Sequence, residues 1–378
     1  MKERRPAAIF PPGEFIREEL EARGWTQDDL ADILSRPLQT VNEVITGKRG
    51  ITPETAKGLG EAFGTSAQYW MNLESVYRLS LENDNGKAVT RRAAIYDMAP
   101  VRAMIKRGWI KQTGDIDVLE QQLLDFFGIK SIRETPKFLC ATRKSTAYTD
   151  MTPGQRAWLF RAGLLAGNVA ARPYTVTGLD ACLAQLKPLL ARAEDIIKIP
   201  GLLSSFGIKL LIIEPLPQSK IDGACFWEGD TPVVTLSLRY DRIDWFWYTL
   251  MHEIGHIRNV DAKKSRECVL DTDMMADFQT GDGRPAYEIA ADRFATSFLV
   301  PQDQFGDFIA RVKPRYSKKR IESFAGMIGV NAGIIVGQLQ HRKEIKYSQY
   351  REFLVKVRHI ITTRAPTDGW GLSFPSKN

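Results

Sequence analysis

Trp245-Phe246-Trp247-Tyr248-Thr249-Leu250-Met251-His252-Glu253-Ile254-Gly255-His256 is the most informative stretch of this 378-residue chain. An apolar run leads straight into an H-E-x-x-H motif, which predicts a buried helix. At about 3.6 residues per turn, His252 and His256 stand one turn apart on a single face, so both imidazoles reach one metal ion. Glu253 projects beside them, placed to take a proton from a metal-bound water whose pKa the ion lowers, while the ion polarises a scissile carbonyl. So short a motif also arises by accident, and a third ligand is needed to give it weight.

Downstream, Tyr287-Glu288-Ile289-Ala290-Ala291-Asp292-Arg293-Phe294-Ala295 places two carboxylates at i and i+4 of a helix predicted from about Pro285 to Leu299, before Pro301. Alone, such a pair is a solvated acidic face. Joined to the motif, one carboxylate ligates while the other orients a ligand histidine from behind. The chain has four histidines, so a three-histidine site needs His341 or His359 from far downstream, and Glu288 is the simpler third ligand. Two imidazoles, one carboxylate and one open position suit tetrahedral Zn2+, and Mn2+ or Fe2+ fit the same donors. His341 is the favoured transition-state stabiliser over Arg239, Tyr240 and Tyr248, all of which also read as packing or surface residues.

Ahead of the motif, Ile208 to Ile213, Val233 to Leu238 and Ala224 to Trp227 are β-rich runs flanked by Pro or Gly, predicting strands. Residues 95–200 read as mainly helical, including Asp117 to Phe127 and Leu179 to Ile197, and carry no chemical constellation. Their apolar stretches, such as Leu119-Leu123-Leu124-Phe127-Ile129, predict packing on the motif-bearing region.

These blocks, with Leu299-Val300-Pro301 after the second, resemble the ImmA/IrrE family of metallopeptidases over roughly residues 200–305. The resemblance implies a gluzincin-like α+β fold with a small sheet and a zinc endopeptidase that cleaves a repressor. It makes His252, His256 and Glu288 the metal ligands and Glu253 the catalytic base. Asp292 stands where the family has Asn or Asp, and its orienting role is a geometric inference.

At the other end, apolar blocks punctuated by Gly24, Pro37, Gly47, Gly50 and Gly64 predict five short helices, with Thr26 and Thr52 as N-caps. Trp25 to Leu34, a turn at Ser35-Arg36-Pro37, and Leu38 to Thr46 have helix-turn-helix spacing. With Gly47 to Ala56 and Gly64 to Met71, they resemble the XRE-type domain of HigA-like antitoxins across about sixty residues. The resemblance implies a double-stranded DNA operator and a homodimer formed through this head. Val41, Val44 and Ile45 then face its core, Arg36, Gln39, Thr40 and Asn42 meet base edges, and Lys48 and Arg49 contact phosphate. Residues 1–75 hold nine Lys or Arg against twelve Asp or Glu in a chain of net charge +7. A single head therefore binds weakly, and a tight complex needs dimerisation or the basic remainder.

The expected architecture is multidomain and mainly α: a helix-turn-helix head (1–75), a polar hinge (76–92), a helical region (93–200), a peptidase core (201–310) and a C-terminal helical extension (311–378). No signal peptide or membrane anchor is read at the N-terminus, which points to the cytoplasm. Cys140, Cys182, Cys225 and Cys268 form no C-x-x-C pair and read as reduced thiols. The leading functional expectation is a DNA-binding regulator whose peptidase clips a repressor or antitoxin in a stress, prophage or toxin-antitoxin circuit. Two alternatives stand beside it: a non-proteolytic regulator whose peptidase fold senses metal or a partner, and an antitoxin that neutralises a toxin.

Overall fold

The computed structural model describes residues 9–81, 85–138, 151–259, 269–272, 285–372 and 374. The chain forms two compact units that divide after Arg92. Residues 82–84 of the expected hinge, Cys140 and Cys268 lie outside the described residues.

The first unit contains α1 (Pro12–Arg23), α2 (Gln27–Ile33), α3 (Leu38–Ile45), α4 (Pro53–Phe63) and α5 (Ala67–Leu81). The local chemistry sets its boundaries. Thr26 and Asp29 close a capping box on α2, the Thr52 side chain accepts from the Thr55 amide at the start of α4, and Gly24 and Gly64 end α1 and α4 in the left-handed conformation. Ile16, Leu30, Val41, Ile45, Leu59, Phe63 and Trp70 form its core.

The second unit is built on a mixed five-stranded sheet of order β4-β2-β3-β1-β5. Its strands are β1 (Lys209–Ile213), β2 (Ile221–Glu228), β3 (Thr231–Leu236), β4 (Val269–Thr272) and β5 (Thr367–Asp368). β1 runs parallel to β3 and β5, whereas β2 runs antiparallel to β3 and β4. The central strands are buried on both faces, which is why they read as continuous apolar runs. Leu211, Ile213 and Phe226 turn to one face with Met104, Leu123 and Trp158, and the Trp158 indole donates to the Ile213 carbonyl at 3.1 Å. Leu210, Ile212 and Trp227 turn to the other with Leu183, Leu203, Trp247 and Leu250. The region 93–200 thus contributes side chains to both faces. The stretch Leu179 to Ile197 is not one helix: an α-helix ends at Leu186 and two 3-10 turns, Lys187–Ala191 and Ala193–Lys198, follow. Pro188 supplies no amide to continue the α ladder.

Two helices carry the motifs. We label the buried helix Ile243–Arg258 α6 and the helix Ala286–Leu299 α7. A side chain on Gly255 of α6 would meet the α7 backbone at Ala291 Cα, 3.0 Å away. With the small buried faces of Ala291 and Ala295, this lets the two helices cross closely. Among the described residues no single helix is long and apolar enough to cross a membrane.

Candidate metal centre and nucleic-acid face

The close crossing of α6 and α7 brings their polar residues together inside the core. His252, Glu253 and His256 are 0%, 0% and 1% exposed, a burial that groups of this kind tolerate only when paired, protonated or bound to a metal. His252 Nε2 lies 2.9 Å from His256 Nε2 and 3.2 Å from Glu288 Oε2, and His256 Nε2 is 3.7 Å from the same oxygen. Asp292 Oδ1 stands 2.9 Å from His252 Nδ1 on the far side of the ring and accepts a 2.6 Å hydrogen bond from the Tyr248 hydroxyl.

A fourth donor joins them that the sequence reading did not single out. Asp271, on β4, places Oδ2 3.4 Å from His252 Nε2 and 3.7 Å from His256 Nε2. His252, His256, Asp271 and Glu288 form a buried His/Asp/Glu group with the donor chemistry to bind a metal ion. Neither Glu253 oxygen has a hydrogen-bond partner among the described residues, and Asp271 Oδ2 has none either. Space for the Glu253 carboxylate comes from Gly223 on β2, where a Cβ would stand 2.2 Å from Glu253 Oε1.

The charges are strongly coupled. Burial raises the Glu253 carboxyl well above its ordinary range, and the Asp271 charge beside it adds to the shift. Burial acts against Asp271 too, but the imidazoles of His252 and His256 reverse it and hold that carboxyl well below its ordinary range. For His252, burial disfavours the charged ring, yet Asp271, Asp292 and Glu288 outweigh it and raise the pKa well above the usual value. The pocket is thus an excess of negative charge that attracts protons or a cation.

His341 is not in the four-donor group. It ends the helix Ala332–His341 and lines a groove with Arg242, Trp245, Tyr248, Gln338 and Tyr347. Desolvation lowers its pKa below the ordinary imidazole value.

In the first unit, Gln39 and Asn42 are exposed on α3 and Thr40 is half-buried, while Val41, Val44 and Ile45 are in the core. Lys48 and Arg49 are exposed. Acids attend this face: Arg36 pairs with Glu54, Arg49 lies 3.7 Å from Glu43, and the Gln39 amide donates to Glu43 at 3.0 Å. The net negative charge of the head is thus felt at the cations expected to meet DNA.

Residues 16–70 match the helix-turn-helix family, and residues 204–341 match the IrrE N-terminal-like domain, a peptidase family. Virulence-associated protein I of Dichelobacter nodosus is 35% identical over 79 residues, which are 21% of this chain and 73% of that protein. The uncharacterized HTH-type transcriptional regulator YddM of Escherichia coli (strain K12) is 32% identical over 69 residues, 18% of this chain and 73% of its own. Among solved structures, the Pseudomonas aeruginosa antitoxin HigA with the higBA promoter is 39% identical, covering 22% of this chain and 91% of that one at a TM-score of 0.21. A HigA-family addiction module antidote protein from Coxiella burnetii is 34% identical, with 19% and 80% coverage and a TM-score of 0.19.

Proposed function

This chain belongs to the helix-turn-helix transcriptional regulators and carries an IrrE N-terminal-like peptidase domain, and on that premise we propose that it is a metal-dependent endopeptidase that cleaves a repressor or antitoxin. The observation that supports this best is the buried His252, His256 and Glu288 donor set beside a Glu253 carboxylate with no hydrogen-bond partner among the described residues. His252, His256 and Glu288 would hold the ion, and Zn2+ fits these nitrogen and oxygen donors. A bound ion supplies Lewis acidity to the scissile carbonyl and to the attacking water.

The chain's own groups do the rest. Glu253, in its ionised form, takes a proton from a water beside its carboxylate as the water oxygen bonds to the carbonyl carbon. It returns that proton to the amide nitrogen as the C–N bond breaks, giving a carboxylic acid and an amine. Asp292, held by the Tyr248 hydroxyl, fixes the orientation of His252 from behind. His341, at a groove that Tyr248 also lines, is the residue we assign to stabilising the developing oxyanion.

The head, residues 1–75, would place Arg36, Gln39, Thr40 and Asn42 against base edges and Lys48 and Arg49 against phosphate as a homodimer on a two-fold operator. Because Glu43 and Glu54 accompany the cations, single-copy affinity is low and falls steeply with salt. A second reading, a non-proteolytic regulator that senses metal, is favoured by Asp271 as a fourth donor, but it gives Glu253 no task.

The test is metal analysis of the purified chain, coupled with mass spectrometry of cell proteins cut by wild type and by Glu253→Gln. Stoichiometric zinc in both, with cleavage products only from wild type, is the expected result. Products from Glu253→Gln at the wild-type rate would remove Glu253 from the reaction.

A further inference from the structure

Four ligands at about 2.1 Å around one tetrahedral zinc stand about 3.4 Å from one another. Five of the six separations among the donor atoms of His252, His256, Glu288 and Asp271 are 2.9, 3.2, 3.4, 3.7 and 3.7 Å. They centre on that tetrahedral edge. The sixth pair, Glu288 and Asp271, lies within 4.8 Å. A catalytic site needs only three protein donors, with the fourth position open, whereas a site with four is closed to substrate. Asp271 is 7% exposed, and its Oδ2 has no hydrogen-bond partner among the described residues. A buried carboxylate oxygen this close to the two imidazole nitrogens is compensated either by a proton on one ring or by a cation held between them.

We propose that Asp271 is a fourth protein ligand, that it closes the metal centre in this conformation, and that the strand carrying it must withdraw before a peptide carbonyl can reach the ion. This rests on the metal-peptidase reading above, because Asp271 has such a role only if His252, His256 and Glu288 hold a metal.

The strand is built for removal. Among the described residues, β4 is four residues long, lies at the end of the sheet and pairs with β2 alone. Its ladder slips between Ile221 and Gly223, directly beside the Gly223–Asp271 pair. Such an irregularity bends the strand and weakens the β2–β4 pairing locally. Gly223 and Asp271, paired across the ladder, share one face, the face on which Glu253 also lies. An extended peptide that added to the outer edge of β2 would take the place of β4 and carry Asp271 away from the ion in the same movement. Strand exchange at the sheet edge thereby couples substrate binding to opening of the metal, and the chain is latent until it happens.

The full-length chain loaded with Co2+ tests this, with acetohydroxamate as a small probe that ligates only an ion with an accessible position. Wild type is expected to take up one Co2+, which His252→Ala loses, and to show a visible spectrum unchanged by acetohydroxamate. Asp271→Ala and Asp271→Asn are expected to keep Co2+ with at least about tenfold weaker affinity, since even outer partners of a ligand cost about 10–100-fold. Their spectra are expected to change with acetohydroxamate. A wild-type spectrum that responds to the probe overturns the closed centre, and this arm needs no variant to fold. Unchanged Co2+ affinity in both variants removes Asp271 from the ligands, and loss of all Co2+ from both overturns a removable ligand. A wild type that binds no Co2+ sinks the metal reading itself, whereas binding that depends on His252 preserves that reading whatever Asp271 does.

Discussion

Gly223→Ala probes the general base, because the nearest atoms to an added Cβ belong to Glu253 and Thr249. The added Cβ would lie 2.2 Å from Glu253 Oε1 and 3.0 Å from both Glu253 Cδ and Thr249 Cγ2, against ordinary contact that begins near 3.4 Å. Glu253 is wholly buried, so its carboxylate has no solvent to swing into. Overpacking of this kind costs about 1–3 kcal/mol. Ala also restricts the unfolded chain, which returns about 0.4–1 kcal/mol where its backbone fits. The clash wins, with a net loss of about 1–2 kcal/mol, which makes opening about 5–30-fold more frequent. Hydrogen-deuterium exchange of the metal-free chain, read on peptides spanning Ile221–Glu228 and Ile243–Arg258, should accelerate by that factor. Zinc stoichiometry should be unchanged, because the ligands stay in place, and peptide cleavage should fall as Glu253 is displaced. Wild-type exchange rates together with wild-type cleavage would show that the Gly223 gap does not hold the carboxylate, and the account of the base would fail.

Asp292→Ala should weaken zinc binding by about 10–100-fold, and Tyr248→Phe by less, because the phenol hydroxyl reaches His252 through Asp292; competition titration with a chelator measures both, and unchanged affinity in Asp292→Ala would break that chain. Zinc affinity should rise with pH, since His252 has a raised pKa and must lose its proton to bind; calorimetry in buffers of different ionisation heat should detect proton release, and a flat profile would contradict the shift. Without metal, the favourable His252 and Asp271 charges should make two opposite contributions to stability. That of His252 is present at low pH and is lost as pH rises through its raised folded pKa, while that of Asp271 is lost as pH falls through its lowered one; urea midpoints against pH test both limbs. Arg36→Ala and Gln39→Ala should each cut preference for the operator roughly tenfold, and equal preference in a low-salt gel shift would move the recognition helix elsewhere.

What was legible in the chain is what a helix writes locally. His252 and His256 on one face, and Glu288 and Asp292 on the next helix, follow from periodicity, and the caps at Thr26 and Thr52 follow from side chains that reach only three residues. Tyr248 was legible in principle as well: with His252 and His256 it forms an i, i+4, i+8 stripe on α6, and its hydroxyl reaches the Asp292 that backs His252. Gly255 stood inside the motif as an unspecified position, and its value appears only when Ala291 is seen against it. Asp271 was not legible, because Val269-Leu270-Asp271-Thr272 is too short for a strand pattern and lies on no helical repeat with the histidines. Its place is set by a β ladder to Ile221 through Cys225, residues on the far side of α6 in sequence. Likewise β5 is two residues long and gains its role from β1 and from Asp368, which pairs with Arg107 and Arg161 and accepts from the Trp109 indole. The division has a functional consequence. The parts proposed to bind a metal are encoded within single helices, whereas the part proposed to close the site is encoded by a pairing between distant segments, so a change at the sheet edge would alter access to an ion while leaving every residue of the H-E-x-x-H motif untouched.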